Sequence, residues 1–160
     1  MDFIKNYFTA EKNESLIFIA IGILTIGFSA YTLVKWGDGF YKGFAIPVIL
    51  IGLIQWVVGG TVYFRTDGQL THLEQLYSSN KSEFVNSETA RMEIVMKNFS
   101  LYKKIEVAFV LIGLALLLSM KQREFWMGVG VGMLLQGALM LTADIFAERR
   151  GGTYMKEMLV

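Results

Sequence analysis

The chain has 160 residues, of which 54% are apolar and 18% charged, with a mean hydropathy of +0.46 and a formal net charge of +1. Lys and Arg are scattered rather than gathered in a stripe, which excludes the electrostatic footprint of a nucleic-acid binder. Cysteine is absent, so disulfides, thiol nucleophiles and thiolate metal sites are excluded as well.

The apolar residues come in blocks. Residues 15–34, 44–64, 107–120 and 125–146 carry no Asp, Glu, Lys or Arg apart from Asp144. Three blocks reach the roughly 20 residues that cross about 30 Å of hydrocarbon at 1.5 Å per residue. Apolar residues on every side rule out both an amphipathic soluble core helix and the period-two pattern of a lipid-facing strand. The fold expected is an all-α integral membrane protein with four transmembrane helices in a bundle, its third helix extended into a cytoplasmic helical protrusion. The partners this implies are membrane lipids, with no nucleic acid.

In chain order, residues 1–14 read as an N-terminal cytoplasmic amphipathic segment with Phe3, Ile4, Tyr7 and Phe8 as its apolar face. Residues 15–64 form a first transmembrane hairpin, with Pro47 in the first turn of its second span, where the missing donor is harmless. Residues 65–105 form a cytoplasmic helical connector. Asp67-Gly68 is expected to break the second span, and Leu70, Leu73, Leu76 and Tyr77 to make a short amphipathic helix. Asn86 or Ser87 would cap the next helix, with Glu88 in its first turn. Residues 106–146 form the second hairpin and 147–160 a cytoplasmic tail, the last helix stopping near Gly151-Gly152.

Lys and Arg set the orientation. Eleven of them, from Lys5 to Lys156, fall on the side shared by both termini and the connector, and only Lys35, Lys42, Lys121 and Arg123 on the other. Both termini are therefore expected in the cytoplasm of a bacterial inner membrane. The hairpins also share spacings: Phe18-x2-Ile21-Gly22 with Phe109-x2-Ile112-Gly113, and Gln55-x5-Thr61 with Gln136-x5-Thr142. A tandem duplication of one two-helix hairpin would produce both pairs.

Three groups of residues carry chemistry. Met92, Val95, Met96, Phe99 and Tyr102 make an apolar stripe at helical spacing that needs a covering surface. The cover is either the chain's own N-terminal and connector segments or a protein partner. Gln55, Arg65, Glu106, Gln136, Thr142, Asp144 and Arg149 form an expected intramembrane polar cluster. Within it Glu106 and Asp144 are the candidate cation or proton site, or else a clamp between helix ends. The glutamines serve as interhelical glue or, with Thr61 and Thr142, as a pore lining. Gly52, Gly59, Gly60, Gly128, Gly132 and Gly137 give small surfaces for close helix packing.

His72 stands alone without metal-ligating neighbours, and no catalytic motif, cofactor fingerprint or metal site is present. The function expected is protein binding without catalysis, of the accessory, regulatory or toxin-immunity kind. The alternative is a self-associating channel or a proton- or cation-coupled transporter using Glu106 and Asp144.

Overall fold

The structure, a computed structural model, describes residues 1–160. It holds four long helices and no strand: α1 (Asp2–Lys35), α2 (Gly39–Ser79), α3 (Lys81–Ser119) and α4 (Glu124–Met158). Three of them, α1, α2 and α4, are long and apolar enough to cross a membrane. At 1.5 Å per residue, the 41 residues of α2 extend about 60 Å, twice a hydrocarbon core.

Each helix therefore runs through two environments. In the half nearer the 36–38 and 120–123 turns, large apolar side chains point outward all round, among them Leu24, Leu50, Val57, Leu111 and Leu135. In the half that carries both termini and the 79–81 turn, most outward positions are polar, Ile94 being an exception. The core there is an ordinary packed one of Ile4, Tyr7, Phe8, Leu73, Phe84, Met92, Tyr154 and Met158.

Three sequence expectations give way to longer helices. Asp67-Gly68 does not break α2, which continues to Ser79. Gly68 has open space where its side chain would be, and Leu73, five residues on, is buried in the terminal core. Packing overrides local propensity here. The α3 cap is Asn80 rather than Asn86 or Ser87: its side-chain oxygen accepts from the Glu83 N–H at 3.1 Å and its amide reaches the Glu83 carboxylate at 3.0 Å. Likewise α4 passes through Gly151-Gly152 and ends only after Met158. Gly151 lies against the Met92 and Met96 side chains, a place where the absence of a Cβ matters more than propensity. Residues 65–79, 81–105 and 147–158 are thus continuous with the apolar parts of α2, α3 and α4.

At the opposite end, residues 36–38 join α1 to α2, whereas Asn80 alone separates α2 from α3. Gly37 adopts φ +57, a conformation that favours glycine, and Asp38 caps α2 by accepting from the Tyr41 N–H at 3.1 Å.

Glycines set the helix order. Gly22 of α1 meets Gly52 of α2, and Gly59 meets Ser15 and Ile19; Gly113 of α3 meets Gly130 of α4, and Gly137 meets Glu106 and Val110. The two hairpins close in the same way. They join along α2 and α4, which run parallel, with Gly43 on the Phe125 backbone, Gly128 on the Phe40 backbone and Gly132 on Pro47 and Phe44. Of the glycines expected to pack helices, Gly52, Gly59, Gly128, Gly132 and Gly137 do so. Gly60 does not, since nothing lies within 4 Å of where its Cβ would stand. With α2 and α4 in the middle, the α1 and α3 backbones stand apart and meet only through side chains in the terminal core, where Phe3 reaches Phe84 and Phe8 lies under Arg91.

Candidate functional site

That separation leaves a cavity of about 420 Å³ between α1 and α3, floored by α2 and α4. All four helices line it. Phe18 enters from α1, Ile54 and Val58 from α2, Phe99, Tyr102 and Phe109 from α3, and Met140 from α4. The charged groups in its wall are Glu106 and Asp144. Its volume falls within the roughly 300–1,000 Å³ of small-molecule sites.

Glu106 is only 5% exposed, and its Oε2 has no hydrogen-bond partner. A buried polar atom without a partner costs about 1–3 kcal/mol; Ser29 Oγ and Gln55 Oε1 share that condition, and what sets Glu106 apart is its place on a cavity wall with a second carboxyl, Asp144. The basic residues that could answer it are engaged elsewhere. Lys103, one turn before Glu106, gives its ammonium to Glu148, and Arg150 pairs with Glu14.

Those pairs belong to a girdle where the apolar half meets the polar half. Lys12 bonds both oxygens of Asp67, at 2.5 and 2.7 Å, while its ammonium sits 4.8 Å from the centre of the Tyr63 ring. Arg65 reaches Glu11 at 3.5 Å. Together the four contacts tie α1 to α2, α1 to α4 and α3 to α4 at one level. Burial pushes the Glu11 carboxyl above its usual range despite Arg65, Arg91 and Arg150 nearby. A smaller cavity of about 120 Å³, with Glu11, Glu14 and Arg150 in its wall, adjoins the first through Phe18, Val58, Phe99 and Asp144, which line both.

The expected polar cluster thus divides. Glu106 and Asp144 do share one cavity. Arg65 instead holds Glu11 in the girdle, and Arg149 is exposed and makes no ion pair. Thr142 and Thr61 also face outward, each donating to the carbonyl four residues back in its own helix. Neither lines a pore within the chain. The glutamines form a second, separate contact: Gln55 donates to Gln136 Oε1 at 3.3 Å and to the Met140 sulfur at 3.1 Å, and Gln136 donates to the Val48 carbonyl at 3.4 Å. Both are almost fully buried between α2 and α4. Gln55→Leu is therefore expected to cost about 0.6–2 kcal/mol of stability, read as a lower unfolding temperature in detergent. The oligomeric mass in lipid nanodiscs should not change; a shift in mass would place Gln55 between chains instead.

The stripe on α3 is largely spent within the chain. Met92 is wholly buried in the terminal core, Val95 packs against that core, and Met96 lies on Gly151. Phe99 and Tyr102, further along, line the cavity. Of the two covers the sequence left open, the chain's own helices meet the Met92, Val95 and Met96 end. His72 is exposed on α2.

Sequence reasoning missed one buried polar network. Glu88, placed in a first helical turn by the sequence, is 1% exposed and receives Arg91 through both its oxygens, at 2.6 and 2.8 Å. The Tyr154 hydroxyl donates to the same carboxylate at 2.9 Å. Tyr154 stacks on Tyr7 with ring centres 4.3 Å apart, and the Arg91 guanidinium lies 5.5 Å from the centre of the Phe8 ring. Burial, with Glu11 nearby, pushes the Tyr7 hydroxyl up to about 12; burial and then the Glu88 charge raise that of Tyr154. Phe84, Glu88, Met92 and Val95 share one helix face, so extending the stripe back one turn would have exposed the anomaly.

The arrangement defines an all-helical protein with three helices able to cross a membrane and an acidic cavity beside them. No known protein family, curated protein or solved structure matches the chain.

Proposed function

We propose that this is a four-span membrane protein that exchanges protons or another cation at Glu106 and Asp144, in the manner of a coupled carrier. The observation that carries the reading is the unpartnered, buried Glu106 oxygen on a cavity lined by all four helices.

The fourth span in this reading is α3. Its last 18 residues, Tyr102–Ser119, contain Lys103, Lys104 and Glu106, which is why composition alone does not mark it as a span. Glu106 turns into the cavity and Lys103 to Glu148. The outward positions beyond them, such as Val107, Leu111, Leu114 and Leu118, are apolar. Beyond the exposed Lys104 at its inner end, the surface offered to lipid is therefore as apolar as on the other helices. The bias of Lys and Arg supports termini in the cytoplasm of a bacterial inner membrane, with the polar half of the bundle projecting there. The matched glycine contacts of the two hairpins support an origin in duplication, with Glu106 standing where the first copy has Ser15. Their register equates Gly52 and Gly59 with Gly130 and Gly137, so Gln55 and Gln136 are partners across the seam rather than counterparts.

Protein docking on the α3 stripe has less to support it, since the chain covers most of that stripe itself. A pore made by self-association is likewise weakened by Gln55 and Gln136, two of its four expected lining groups, which are buried against each other within one chain.

The test is charge displacement. Proteoliposomes adsorbed on a solid-supported membrane are given a rapid proton-concentration jump. The parent should give a transient current above protein-free liposomes, and Glu106→Gln should remove most of it. No current from the parent, or one indifferent to both Glu106→Gln and Asp144→Asn, would overturn the reading.

A further inference from the structure

The chemistry of the cavity narrows what it takes. We infer that it binds an amphiphilic organic monocation that enters sideways from the lipid between α2 and α3; this rests on the cation-exchange reading above.

Charge comes first. The two carboxyls in the wall face no free base, because Lys103 is held by Glu148 and Arg150 by Glu14. An anion would be repelled, and a neutral apolar guest would leave the Glu106 oxygen unpartnered. A positive guest supplies the missing partner.

The wall then separates organic from inorganic cations. A hard metal ion needs about six to eight oxygen ligands, and the chain has no group of three or more His, Cys, Asp or Glu placed to hold a metal. Around the carboxyls stand Phe18, Phe99, Tyr102 and Phe109 instead, with Met140 beside them. Aromatic faces attract organic cations through their quadrupole, and thioethers adapt to irregular apolar shapes. An acid pair inside an aromatic wall fits a charge carried on an apolar body.

The way in follows from exposure. Ile54 and Val58 on α2 and Tyr102 and Ile105 on α3 line the cavity and are each about half exposed. The opening lies between helices that touch only lightly, at the level of the apolar half. A guest already dissolved in lipid would reach Glu106 without crossing the girdle.

Radiolabelled tetraphenylphosphonium is the probe, measured by equilibrium binding to the full chain in phosphatidylcholine nanodiscs against empty nanodiscs. Saturable binding above the empty discs is expected, weakened about tenfold or more by Glu106→Gln. Tyr102→Leu, at a half-exposed position, should weaken it about three- to tenfold. The uncharged triphenylphosphine oxide should not compete. Should Glu106→Gln fail to fold, Asp144→Asn and Tyr102→Leu carry the test. Binding no greater than to empty discs, indifference to all three changes, or equal competition by the neutral analogue would each overturn the inference. A proton-jump current that persists alongside such a failure would leave the cation-exchange reading standing and remove only the ligand class.

Discussion

Gly128→Ala is expected to force the two hairpins apart and cost roughly 3 kcal/mol or more, at or beyond the upper end of ordinary overpacking. The methyl would lie 2.0 Å from the Phe40 carbonyl oxygen and 2.7 Å from the Phe44 nitrogen. Gly43→Ala meets the same obstacle from the other side, 1.9 Å from the Phe125 carbonyl oxygen. These neighbours are backbone atoms in the first turns of α2 and α4, so no rotamer change relieves the clash and the two helices must separate. That seam also positions Gln55 against Gln136 and forms the floor of the cavity. Gly60→Ala and Gly27→Ala are the controls, since open space surrounds both positions. There the gain in helix propensity should leave stability unchanged or raise it by up to about 1 kcal/mol. Unfolding temperatures of all four variants in one detergent decide the matter. A Gly128→Ala protein as stable as the parent would mean that the α2–α4 seam is looser than described.

The contrast among these glycines marks what a single sequence could and could not tell. Charge-free blocks made the apolar helices legible, because desolvation leaves so little choice of residue inside them. Gly128-x3-Gly132 was readable as a packing motif for the same reason. Nothing in the sequence separated Gly60 from Gly59, since neighbouring residues point in different directions and the partner helix decides which matters. Helix ends were misplaced for a related reason. Gly68 and Gly151-Gly152 are weak breakers locally, and the tertiary contacts of Leu73, Met92 and Tyr154 outweigh them. Of the site, the pairing of Glu106 with Asp144 could be read from their depth in adjacent blocks. The diversion of Arg65 to Glu11 and of Lys103 to Glu148 could not, because it depends on how far each helix is rotated. The α3 stripe was visible as a stripe, but whether the chain or another protein covers it is a question of topology.

The Glu88 network sets up the second large effect. Arg91→Met is expected to destabilise the terminal half of the bundle by about 3–5 kcal/mol, because it strands a carboxylate that is 1% exposed with only the Tyr154 hydroxyl to meet it. Glu88→Leu should cost less. The arginine it frees is about one quarter exposed and can swing its head to water while its stem stays on Phe8. That order, the basic partner mattering more than the acidic one, distinguishes a buried anion held by the arginine from a surface ion pair, for which both changes would be small and similar. The triple change Glu88→Leu, Arg91→Met and Tyr154→Phe removes every polar member at once and should recover most of the loss, since replacing a whole buried network by apolar groups of similar shape is close to neutral. Apparent unfolding temperatures of the three proteins supply the ranking. If the triple variant is no more stable than Arg91→Met, the network is holding the geometry of α3 against α1 and α4 rather than neutralising one charge, and the packing of Tyr7 on Tyr154 becomes the contact to dissect next.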